Sequence, residues 1–165
     1  MYKNSRQAFT MMELVFVIVV IGILSAIAIP KFAVTRGDAI MTQAKTTVAS
    51  IRSAIATERQ KRILRGSFDK IKYLGEDNEE GAGDSFIFNG FDNNTSTPVL
   101  EYALKPCATT SSTSCWYRSA KGDGTSSNPS KYKFMLPTSG EVEFELKDNK
   151  FTCDTTDANC LTLTQ

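Results

Sequence analysis

Apolar and polar positions divide the chain into three regimes. From Phe9 to Ile29 there are 21 residues with a single charge, Glu13. At about 1.5 Å of rise per residue, a helix of that length spans roughly the 30 Å of a bilayer's hydrocarbon. The pattern therefore predicts a membrane-crossing helix. Beyond Pro30, apolar residues recur at Ile40, Ala44, Val48, Ile51 and Ile55, in steps of 4, 4, 3 and 4, with Thr42, Gln43, Lys45, Thr46, Ser50 and Arg52 between them. This is the stripe of an amphipathic helix. It is expected to run to Arg65 and to stop at Gly66, whose tolerance of positive φ suits the residue just past a helix end. From Phe9 that makes 57 residues, or about 85 Å of helix. A head of some 100 residues needs much less, so the first half must be buried by a membrane or by other subunits. Pro30 lacks an N–H and crowds the carbonyl four residues back, which predicts a kinked or loosened helix near Ala26. Gly22 is a second flexible point, although Gly and Pro are also simply common in membrane helices.

From Ser85 onwards the pattern shortens. Strands are expected at 86–88, 99–104, 115–118, 132–136, 141–146, 151–153 and 161–163. Val142, Phe144 and Leu146 alternate with Glu141, Glu143 and Glu145, giving one buried and one wet face. Pro137-Thr138-Ser139-Gly140 supplies a hairpin turn. Residues 66–84, with the acidic run Glu76-Asp77-Asn78-Glu79-Glu80 followed by Gly81 and Gly83, read as a solvated linker. The predicted fold class is α+β: a long N-terminal helix, half membrane-spanning and half amphipathic, packed on a C-terminal antiparallel β-sheet. The expected divisions are a leader at 1–8, a transmembrane and assembly helix at 9–30, an amphipathic helix at 31–65 and a β-rich head at 66–165.

Glu13 is wrong for a passive anchor. An ionised side chain in that setting costs roughly 2.5 kcal/mol or more unless it finds a partner, which makes it a functional residue by default. A cut after Ala8 would place a free α-amino group on Phe9, one helical turn upstream, and a neighbouring copy shifted along the axis could pair that amine with the acid. The stretch Ala8-Phe9-Thr10-Met11-Met12-Glu13-Leu14, a basic leader holding Lys3 and Arg6, the apolar run and Pro30 together resemble the prepilin motif of type IV pilins and type II secretion pseudopilins. The resemblance covers about the first 35 residues. It implies cleavage after Ala8 by the prepilin peptidase, N-methylation of Phe9 by the same enzyme, and assembly with self or homologous subunits into a helical filament on an inner-membrane platform. The family usually has Gly before the cut, so Ala8 predicts slower or equal processing. Ordinary signal peptidase is the competing reading, because Ala26-Ile27-Ala28 follows an apolar run. It would release a soluble, disulfide-stapled binding domain after Ala28 and leave Glu13 without a purpose.

Charge refines this picture. Without the leader, 17 bases face 18 acids, which argues against nucleic-acid binding by bulk charge. Residues 31–65 hold eight bases and two acids, net +6, and residues 66–165 hold nine bases and fifteen acids, net −6. A basic stalk carries an acidic head. All four cysteines, Cys107, Cys115, Cys153 and Cys160, lie in the last third, and an even number beyond a membrane signal reads as two disulfides in an oxidising compartment. Of three pairings, the local ones, Cys107 to Cys115 and Cys153 to Cys160, are expected because each closes a short loop. A zinc site is the weaker alternative, since the spacings are long and the chain has no histidine. The lack of histidine also removes imidazole bases and triads, and no phosphate-cradling Gly-rich loop is present. A structural protein is expected, with no enzyme activity and no small-molecule substrate.

Two loops carry weaker signals. Lys121-Gly122-Asp123-Gly124-Thr125-Ser126-Ser127-Asn128 has the composition of a calcium loop, with Asp123 as its single carboxylate; a plain turn is the competing and favoured reading. Asp92-Asn93-Asn94-Thr95-Ser96 looks like an acid-extended glycosylation sequon with Asn94 as acceptor. The reading is a filament subunit held in membrane lipid by a single pass of the bacterial inner membrane, N-terminus cytoplasmic and head periplasmic, then assembled into a periplasmic or surface filament. The compact head, without an evident adhesive insertion, favours a secretion pseudopilin driving protein export over a true or minor pilin for motility, adhesion or DNA uptake.

Overall fold

The computed structural model describes residues 9–76, 86–104 and 106–165. Helix α1 spans Met11–Leu64, four strands follow at Cys115–Ala120 (β1), Ser130–Met135 (β2), Glu141–Lys147 (β3) and Lys150–Cys153 (β4), and a short helix, α2, closes the chain at Ala158–Thr164. The molecule divides into two units, Met1–Asp38 and Ala39–Gln165. The described residues of the first are helical from Met11.

In the second unit the strands form an antiparallel meander in the order β1-β2-β3-β4. The predicted helical stripe is its other layer: Ala44, Val48, Ile51 and Ile55 are all at most 2% exposed. They share one core with Trp116, Tyr132, Phe134, Phe144 and Phe151 from the strands and Phe88 from the preceding loop. Phe144 and Phe151 stack at 5.0 Å, and Trp116 meets Phe134 at 4.9 Å. Arg52, on the flank of the stripe, donates from Nε to the Phe151 carbonyl at 3.0 Å and so ties the helix to β4.

The helix ends as its sequence predicts. Gly66 has φ +79°, Gly66 N donates to the Ile63 carbonyl and Ser67 N to the Arg62 carbonyl, both at 2.9 Å. These are the paired bonds of a Schellman motif, which only a residue at ease with positive φ closes without strain. The β2–β3 turn falls at 137–140 as expected, with Leu136 N donating to the Gly140 carbonyl at 3.0 Å. The β3–β4 turn is the pair Asp148 and Asn149, both at positive φ (50° and 60°), the mirror-image turn whose twist matches a tight hairpin.

Several expected elements differ. Residues 86–88 and 99–104 are not strands. They meet at the isolated bridge Ile87↔Leu104 and where Leu100 N donates to the Phe88 carbonyl at 3.3 Å, and Phe88, at φ 60°, breaks the extended backbone between them. Residues 161–163 belong to α2. Asp157 caps that helix by accepting from Asn159 N, and the buried pair Cys160 and Leu163, three apart, sets a helical face; the Leu161/Leu163 alternation misled. The acidic run from Asp77 onwards, with Gly81 and Gly83, lies outside the described residues, but part of the supposed solvated linker, between positions 71 and 75, is core. Ile71 and Leu74 are 0% exposed and Tyr73 is 8% exposed.

That segment belongs to none of the four strands: beside the isolated bridge Leu74↔Phe91, side chains take much of a strand partner's place. Ile71 N donates to Asn149 Oδ1 (2.8 Å), Lys72 N and Tyr73 N to Asp92 Oδ1 (2.7 and 3.1 Å), and Leu74 N to Tyr132 Oη (2.6 Å). Ser130 Oγ donates to the Lys72 carbonyl at 2.7 Å while accepting from Gly122 N. Buried backbone groups demand partners of some kind. The Asp92 loop, the β3–β4 turn and strand β2 supply them here.

Candidate functional site

The N-terminal segment is built on Thr10. Its carbonyl accepts from Glu13 N and Leu14 N, both at 3.1 Å, and its Oγ1 accepts from Glu13 N at 3.3 Å. Thr10 thus caps α1, and Thr10-Met11-Met12-Glu13 has the Ser/Thr-x-x-Glu spacing of a capping box. The spacing was visible in the sequence but hidden by the membrane reading. An acid in the first turn is also favourable beside the free N–H groups of a helix start. Glu13 is exposed, and its carboxylate has no hydrogen-bond or ion-pair partner among the described residues, so its charge is open to another chain. Phe9, just outside the helix, is 76% exposed. Ala8, with Lys3 and Arg6, lies outside the described residues.

Residues Met11–Ile29 form one helix long and apolar enough to cross a membrane, with mean hydropathy 2.8 and none of it buried within the molecule. A soluble core helix would be covered. Here Phe16, Leu24 and Ile29 are 69%, 62% and 69% exposed, an apolar surface that needs lipid or other subunits over it. Gly22 has no neighbouring atom within 4 Å of where a Cβ would stand, and the backbone is helical through both Gly22 and Pro30.

In the head, the bonds Cys107–Cys115 and Cys153–Cys160 join Cα atoms 5.2 and 5.9 Å apart. All four sulfurs are thereby committed, which removes the zinc alternative. Among the described residues no three His, Cys, Asp or Glu side chains gather as a metal site. Asp123 accepts from Thr125 N (2.9 Å) and Thr125 Oγ1 (2.6 Å), and these bonds hold its carboxyl below the usual carboxylate range. The loop's only carboxylate is occupied by the loop itself.

Asn94 is exposed in a turn where its Oδ1 accepts from Ser96 N at 3.0 Å. Asp92, the acid of the same sequon, is spent on the fold. Besides its two backbone donors, its Oδ2 meets Arg62 Nη1 at 2.8 Å, and Arg62 Nε meets Glu58 Oε1 at 3.1 Å. Burial works against the Arg62 charge, but the bonds to Glu58 and Asp92 outweigh it and raise its pKa. Sequence reading missed this node; its signal was the loop pair Asp92-Asn93, the residue types that tolerate positive φ, here 52° and 66°. Glu141, Glu143 and Glu145 do line the outer sheet face, each paired with a lysine: Lys133 with Glu141, Lys131 with Glu143 and Lys147 with Glu145.

Comparison with known proteins returns to the N-terminus. A family model described as the prokaryotic N-terminal methylation motif matches residues 3–29. The chain is 39% identical over 57 residues to a fimbrial protein of Moraxella nonliquefaciens, covering 34% of this chain and 37% of that protein. It is 46% identical over 59 residues to the type IV narrow pilus major component of Thermus thermophilus, covering 34% of this chain and 51% of that protein. Over about a third of its length the chain is thus similar to pilus proteins, and residues 3–29 match the methylation motif. It spans about half or less of the curated relatives it matches, and no solved structure matches it.

Proposed function

We propose that this chain is a pilin-family structural subunit of a pilus-like filament, held in the bacterial inner membrane by residues 9–30 until assembly. The observation that carries the reading is Glu13: an acid on an uncovered apolar helix, four residues from Phe9, with its carboxylate open to another chain. Cleavage after Ala8 by a prepilin peptidase would free the Phe9 amine, and pairing that amine with Glu13 of an adjacent subunit would relieve the cost of the charge in hydrocarbon and fix axial register. Gly22 and Pro30 would let the helix bend as subunits pack. The names of the two relatives favour a surface pilus as the filament. The compact head keeps a secretion pseudopilin as the second reading; loss of protein export, rather than of surface pili, in a strain lacking the chain would decide for it.

Glu13→Gln keeps the shape and removes the charge. The expected outcome is cleaved protein in the membrane fraction with filaments largely abolished by electron microscopy. Normal filaments from the variant would overturn the register pairing.

A further inference from the structure

The second unit exposes two large apolar projections that its core does not use. At the end of α1, Leu64 is 87% and Phe68 81% exposed, with the exposed bases Lys61 and Arg65 beside them. The base of this turn that is neutralised within the fold is Arg62, held by Glu58 and Asp92. The other projection is Tyr102, 81% exposed, next to the exposed Glu101. It lies two residues from Leu104, which shares a small cavity with Ala44 near the beginning of the unit's helical part. From Ala44 to Leu64 the helix rises about 30 Å, so the two projections stand at opposite ends of the unit. One is apolar and basic. The other is aromatic with an acid at its side, on a head whose residues 66–165 sum to −6; Lys105 lies outside the described residues.

We propose that Leu64 and Phe68, flanked by Lys61 and Arg65, dock on Tyr102 and Glu101 of a second copy of this chain. Apolar and aromatic anchors inside a charged rim are the anatomy of specific interfaces, and opposite charges at the rim fix orientation more than they add affinity. Because the two patches differ, the contact is heterologous, and each copy that uses one patch still presents the other. Such a contact repeats along an open stack unless a rotation closes it. The inference rests on the filament-subunit reading and supplies it with a head-to-head-domain contact independent of the apolar helix.

The test places a photo-crosslinking residue in the full chain, Phe68→p-benzoylphenylalanine, at a position exposed enough to leave folding intact. This chain is co-expressed with an epitope-tagged copy, and membranes are irradiated. The expected adduct joins the two copies and maps to the peptide holding Tyr102. Arg65→Glu or Glu101→Arg alone should lower its yield by about threefold, the scale of an exposed ion pair, and the double reversal should restore it. An adduct to lipid, an adduct elsewhere or within one copy, or indifference to both charge reversals would overturn the contact. Electron microscopy of the same cells separates the two ideas. Filaments without the adduct refute the contact alone, whereas the adduct without filaments supports the contact and refutes the filament reading.

Discussion

Asp92 ties the end of α1 to the segment at 72–73. One oxygen takes the N–H groups of Lys72 and Tyr73, the other an Arg62 guanidinium nitrogen, while its own N–H reaches the Tyr73 carbonyl at 3.1 Å. Two substitutions separate these contributions. Asp92→Asn retains an acceptor and tolerates the positive φ, so it should cost about 1 kcal/mol, mainly through the weakened bond to Arg62. Asp92→Ala strands two amides and a cation and strains the backbone, and should cost about 3 kcal/mol or more. Chemical denaturation of the purified chain in detergent checks this; equal costs would show that the charge alone matters. The sequence showed Asp92 only as part of a sequon. Its actual partners, at positions 62, 72 and 73, are brought together by tertiary folding and leave no local pattern.

At the scale of elements, what the sequence revealed followed periodicity. The α1 stripe and the alternation in β3 were legible because one side of each is buried at a regular interval. Segment 70–75 and helix α2 were not. The first is held by side chains rather than a strand ladder, and the second is set by the Asp157 cap and the Cys160–Leu163 spacing within seven residues. The packing of segment 70–75 depends on Gly124. It has φ +74°, and a Cβ there would stand 2.2 Å from the Ile71 carbonyl oxygen. Gly124→Ala should therefore destabilise the head by about 2 kcal/mol or more, through both strain and collision. Gly22→Ala, with open space around it, should leave head stability unchanged. Thermal unfolding of the two variants side by side tests this; a Gly124→Ala head that melts with the wild type would mean the loop relaxes freely.

For the whole molecule, the outer sheet face ties stability to pH from both sides. The bond from Lys147 holds the Glu145 carboxyl below the usual range, so its contribution is present above the ordinary carboxylate pKa of about 4.3 and is lost as pH falls through the lowered value. Bonds to Glu143 and Glu141 raise the Lys131 and Lys133 ammonium groups. Their contribution is full below the ordinary lysine value of about 10.4 and is lost as pH rises through the raised one. The head's Tm should be level between these limits and fall outside them, with smaller slopes in high salt, since exposed pairs are screened. A Tm that rises as pH drops through the carboxylate range would contradict this.

The two units also differ in how the sequence exposes their purpose. Residues 9–30 stand out through one acid in an apolar run, a combination that in lipid would cost free energy without a partner. The head's residues mainly serve its own packing, and the features that face outward, such as Phe68 and Tyr102, are single side chains with no motif around them. Assembly through the Phe9 amine requires that the mature chain begin at Phe9. Mass spectrometry of the N-terminal peptide from protein extracted from membranes of its bacterial host should find N-methylated Phe9 as the first residue. A chain beginning at Ile29, or one that retains Met1, would contradict it.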